Sequence, residues 1–138
     1  MTEREAHDQL SSDYAASGDL SFTLQHVVDA YAAQHATRDT KPITLFFALV
    51  GLYLRVQTRF SGRRVQYIHQ LLARRKQGWP AIPPAAQKGT VSALDVVAEP
   101  IGPARDEAVD KWCESVWNLY SSSHSVIVRG LHDRGIDV

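Results

Sequence analysis

The sequence predicts an all-α protein: one domain over residues 1–138, a single-domain bundle of five to six helices with a Pro-rich loop around residues 78–89. Three observations predict it. The most apolar run, residues 42–60 (PITLFFALVGLYLRVQTRF), is longer than a typical strand. Residues 21–36 and 103–121 repeat apolar side chains at i, i+3, i+4 and i+7, which is one helical face. No convincing strand pattern interrupts them.

Residues 2–17 form the first helix, with Ala6, Leu10 and Tyr14 as a thin apolar stripe and Gly18 and Asp19 at its end. Residues 21–36 form the second. Ser21 is placed to cap it, and Leu24, Val27, Val28, Tyr31 and His35 fall on one face. Gln25, His26, Asp29 and Ala33 lie on the other side. The apolar third helix follows. Pro42 suits its first turn, and Gly51 either admits a close neighbour or is a tolerated imperfection. The run is too short to span a bilayer, and Arg55 and Arg59 follow at once.

Ser61 caps a fourth helix over residues 63–77, with Val65, Ile68, Leu71 and Leu72 inward, His69 beside them, and Arg74, Arg75 and Lys76 at its close. The loop GWPAIPPAAQKG then lies over the bundle, held by Trp79 and Ile82. Thr90 or Ser92 caps a short helix through Ala98. Residues 103–121 place Val109, Trp112, Cys113, Val116 and Tyr120 on one face, with Glu107 and Lys111 as an i,i+4 pair. Ser123 caps a last helix with Val128 and Leu131 inward and Gly135 as its stop.

Apolar residues make up 44% of the chain and charged residues 22%, as in ordinary globular proteins. The single cysteine, Cys113, precludes an intramolecular disulfide, and the N-terminus has no apolar block; both point to a cytoplasmic protein. Net charge is zero but unevenly placed. Every charged residue between positions 40 and 94 is basic, whereas acids predominate on both sides. The exact cancellation and the lack of aromatic–basic interleaving favour flanking helices that fold against the middle and neutralise it, which makes nucleic acid an unlikely partner.

The chemistry-bearing candidates are histidines and their neighbours. His26, His35 and His69 are the residues a divalent metal such as zinc would use if helices brought them together. A small-molecule site would draw on Asp29, Tyr31, Gln34, His35 and His69, with His35 as ligand or general base. No HExxH, HxxxH, CxxC, Walker or GxSxG motif is present. Cys113 lies on an apolar stripe, where a thiol is inert packing. The competing expectation is that the same residues form a buried network fixing helix register, with function in a homodimer or partner surface.

The segment Asp29-Ala-Tyr-Ala-Ala-Gln-His35, with Lys41-Pro42-Ile43 and the apolar helix after it, resembles a family of small bacterial proteins of unknown function with a DxYxxQH signature. The resemblance continues through Gly62-Arg63, Val65-Gln66, His69 and the Trp112 to Trp117 helix, over residues 20–120 or so. It implies no activity or ligand. Some related sequences begin with a Cys-rich segment that this chain lacks. In length and helical character the chain also resembles DinB-type bundles, without their HxxxH pair.

Overall fold

The computed structural model describes residues 1–75 and 78–138. The described residues contain seven α-helices, a 3-10 turn and no strand. The helices are α1 (Glu3–Ala16), α2 (Leu24–Gln34), α3 (Pro42–Thr58), α4 (Gly62–Ala73), α5 (Ala93–Val97), α6 (Pro103–Leu119) and α7 (His124–Asp133). The 3-10 turn, Ser121–Ser123, joins α6 to α7. Among the described residues no helix is long and apolar enough to cross a membrane.

The core is built around α3, as its composition requires. Leu45, Phe46, Leu49, Val50, Leu52 and Leu54 are buried, against Trp112, Cys113 and Val116 of α6 and Ile127 and Leu131 of α7. α1 buries the expected Ala6, Leu10 and Tyr14. Its start is fixed by a capping box: Thr2 Oγ1 accepts from Glu5 N at 3.1 Å and the Glu5 carboxylate accepts from Thr2 N at 2.9 Å. α5 has the same device in Ser92 and Asp95, and so a five-residue segment holds as a separate helix. The proline loop lies on the bundle as expected. The Trp79 ring sits 5.8 Å from Phe46 and 5.2 Å from Phe47, and Ile82 is buried.

Four local expectations need correction. α2 begins at Leu24 and not near Ser21, because the Asp19 carboxylate accepts from Thr23 N (2.8 Å) and Leu24 N (2.9 Å). Phe22 between them is left-handed, with φ 56. Its carbonyl lies where a side chain on Gly62 would be, since a Cβ there would come within 1.8 Å of it. α4 ends at Ala73, with Arg74 as C-cap and Arg75 N bonded to Leu72 O at 2.9 Å. Lys76 and Gln77, expected to complete this helix, lie outside the described residues. In α7 it is Ile127 that is buried beside Leu131, and Ser123 makes no capping bond because the 3-10 turn leads directly into the helix.

The fourth correction bears on function. The buried side of α2 is only in part the Leu24–His35 stripe. Of that stripe Val27 is buried and Leu24, Tyr31 and His35 are half-buried, whereas Val28 is 43% exposed; His26, Asp29, Ala30, Ala33 and Gln34 are buried instead. α2 lies among α1, α3, α4 and α6, and neighbours on most of its circumference cover its polar side as well.

Candidate functional site

Because α2 is enclosed, each of its polar side chains meets a different neighbour. Asp29 projects toward α3 and is 3% exposed. Its Oδ1 accepts from Gln25 Nε2, one turn earlier, at 3.1 Å, while Oδ2 is buried with no hydrogen-bond partner. The carboxyl fits there only because residue 51 is glycine: a Cβ on Gly51 would lie 1.9 Å from Oδ2 and 2.5 Å from Cγ. Gly51 is therefore a close-approach position, filled by a side chain instead of a helix backbone. Burial holds the Asp29 pKa well above the ordinary carboxylate range, opposed only by the Gln25 bond. Burial thus favours the uncharged acid, which is a hydrogen-bond donor.

Asp29 lines a groove of about 370 Å³ between α2, α3 and α4. Val28, Ala32, Ile43, Phe47 and Ala48 supply its apolar walls, and Gln25, Thr44 and His69 its other polar groups. His69 comes from α4. Its Nε2 lies 2.8 Å from Phe47 O, and a carbonyl can only accept, so Nε2 carries the hydrogen and Nδ1 keeps a lone pair. Burial lowers the His69 pKa, partly countered by that bond. The Phe47 ring lies alongside, 5.4 Å away. The groove thus pairs a carboxyl with an imidazole, each pushed by burial toward its uncharged form, in apolar surroundings.

Tyr31 and His35 sit elsewhere, where α2 meets α1. The Tyr31 ring stacks on His7, centroids 4.2 Å apart, and lies tilted against His35, also at 4.2 Å. Lys88 Nζ lies 3.3 Å from His35 Nδ1, so Nδ1 accepts and Nε2 carries the hydrogen, 3.6 Å from Glu3 Oε1. Burial lowers the His35 pKa, Lys88 adds to this, and Glu3 opposes it. Gln34 is wholly engaged: Nε2 donates to Lys88 O and Val91 O at 2.7 Å each, and Oε1 accepts from Trp112 Nε1 at 2.9 Å. It ties the loop before α5 to α6.

His26 lies in a third place, a pocket of about 250 Å³ with Arg55, Arg59 and Asp110. It is 3% exposed, and its Nδ1 has no hydrogen-bond partner. Burial, then the charge of Arg55, push its pKa down to about 4. Arg55 meanwhile grips both oxygens of Asp110, at 2.7 and 2.8 Å. Cys113 is fully buried and burial pushes its thiol pKa up, in keeping with inert packing.

The structure therefore unites Asp29 with His69, and Tyr31 with His35, but places His26 and Gln34 with neither pair. Among the described residues no three His, Cys, Asp or Glu side chains gather where they could hold a metal ion. His26, His35 and His69, the expected metal set, face Arg55, Glu3 and Phe47 respectively. Gln25, Thr44 and Phe47 were missed as groove residues. Gln25 carried a signal, its i,i+4 spacing from Asp29. His7, Glu3 and Lys88 carried none, since helix packing alone brings them to His35.

Fold and groove together define a small helical bundle with an apolar, polar-tipped concavity between α2, α3 and α4. The chain belongs to a family of unknown function (DUF5946), whose model matches residues 4–121 and so covers α1 through α6 and every groove residue. No curated protein and no solved structure matches it.

Proposed function

We propose that this chain is a small-molecule-binding protein whose ligand is a compact apolar amine, held in the groove between α2, α3 and α4. One observation supports this above the others: among the described residues Asp29 is a buried carboxyl with no cation beside it and one oxygen unpartnered. An uncompensated buried acid costs stability and is a common mark of a binding site. An ammonium group would supply the missing charge and donor, His69 would accept a second hydrogen bond, and the apolar body would lie on Val28, Ile43 and Phe47. The volume is at the small end of ligand sites, about 300–1,000 Å³.

Binding an ammonium ion favours the ionised form of Asp29, so amine binding is expected to release protons from the protein. The test compares 1-naphthylmethylamine, 1-naphthalenemethanol and 1-naphthoate by ligand-observed NMR, with calorimetry of the amine in buffers of different ionisation enthalpy. The amine is expected to bind at least about tenfold more tightly than the others, a difference of about 1.4 kcal/mol. Asp29→Asn removes both that preference and the proton release. Equal binding of all three, preference for the acid, or a preference that survives Asp29→Asn would overturn the proposal.

A second reading has one observation behind it. Val28, 43% exposed, and Ile43, 37% exposed, flank the groove, and a second copy of the chain would cover them as a homodimer. Val28→Glu would then shift the sedimentation coefficient to that of a monomer.

A further inference from the structure

The acidic ends of the chain do not neutralise all of its basic middle. They reach α3: Asp110 of α6 takes Arg55 and, at 3.4 Å, Arg59. They do not reach the outer face of α4. Arg63, Tyr67 and Gln70 recur at i, i+4 and i+7 and stand in one line that the C-cap Arg74 continues, with Arg64 beside it and Arg75 just past the end of the helix. All six are exposed, Tyr67 by 59%. Among the described residues none of these four arginines makes an ion pair; the acids that pair do so with Arg4, Arg55, Arg59, Lys88, Arg105, Lys111 or a histidine.

Two of the arginines are nevertheless held in place. The Arg64 guanidinium lies 3.8 Å over the Phe60 ring, and Arg63 Nε donates to Leu20 O. From Arg63 to Arg74 the line spans about 16 Å at the helical rise. The cations on it are all arginine, whose planar fork matches phosphate oxygens and also stacks on bases. Tyr67 at its centre offers an open aromatic face between the two charged ends. Arginines along a track with an aromatic platform between them are the features that hold an unpaired strand, charge on phosphates and ring on base.

We propose that the outer face of α4 binds single-stranded nucleic acid, with Arg63 and Arg64 on phosphates at one end of the line, Arg74 and Arg75 on phosphates at the other, and Tyr67 stacked on a base between them. This surface lies on the far side of α4 from His69, so it does not depend on the groove.

The test is fluorescence anisotropy of the full chain with a labelled 20-nucleotide oligothymidylate, a 20-nucleotide oligouridylate and a 20-base-pair duplex, from 25 to 200 mM salt. At least one single strand is expected to bind more tightly than the duplex. Its log affinity should fall with log salt at a slope of about −3, from four phosphate contacts at about −0.7 each. Arg63→Glu with Arg74→Glu is expected to cost at least about tenfold and to flatten that slope. Tyr67→Ala is expected to cost about fivefold or more and to leave the slope unchanged. Arg129→Glu, an exposed arginine of α7, is the control and should change nothing. Absence of binding to both strands at 25 mM salt overturns the proposal. So does tighter binding of the duplex, or an equal loss in the Arg129→Glu control.

Discussion

A methyl group added at Gly51 would meet Asp29 before anything else: the three nearest atoms are Oδ2 at 1.9 Å, Cγ at 2.5 Å and Oδ1 at 3.2 Å. In an ordinary helix interior Gly→Ala stabilises by about 1 kcal/mol. Here the carboxyl must leave its place or α2 and α3 must separate, and overpacking of that kind costs about 1–3 kcal/mol. The Gln25 hydrogen bond is lost if the carboxyl moves. Gly51→Ala is therefore expected to destabilise the protein by about 1–2 kcal/mol net, or several degrees in Tm. In an Asp29→Ala background the three clashing atoms are gone, and the same substitution should stabilise by about 1 kcal/mol. The coupling energy of this double-mutant cycle is thus about 2–3 kcal/mol, with a reversal of sign, read from urea unfolding of the four proteins. Gly51→Ala having the same sign in both backgrounds would refute the reasoning.

Two titrations and one hydrogen-bond deletion extend the set. Asp29 has its folded pKa raised by burial, so its contribution is intact below the unfolded value of about 3.9 and is lost as pH rises toward the folded value. Asp29→Asn should accordingly gain stability over the wild type as pH rises from 4 to 8, and urea midpoints that differ by a constant would contradict this. His26 has its folded pKa lowered to about 4, so its contribution is present above the unfolded value of about 6.5 and is lost as pH falls. The wild type should lose about 2 kcal/mol between pH 7 and pH 5 through this residue, a difference that His26→Gln abolishes in the same assay. Gln34→Ala removes three hydrogen bonds and strands Trp112 Nε1, and is expected to cost about 2–4 kcal/mol. Faster amide exchange around Val91 would accompany it, and unchanged exchange there would count against the tie between loop and α6.

The sequence alone determined the helical class, the central place of α3, and the inward faces of α1 and α6. Each of those rests on apolar periodicity within one segment, which local chemistry sets and packing only has to satisfy. It also determined that residues 78–89 could not be helical, because proline lacks the donor and clashes with the preceding turn. The DxYxxQH residues were legible as unusual, but not in their partners. Periodicity ranks positions around one helix; it does not say how many neighbours that helix has. α2 has neighbours on most sides, so its polar side went inward and Val28 came out. Only the tertiary structure decided that Asp29 would face Gly51, that Gln34 would bond Trp112 across 78 residues, and that His69 would share a groove with Asp29 but not with His35. Those are contacts between segments far apart in sequence, and their geometry is set by the angles at which helices cross.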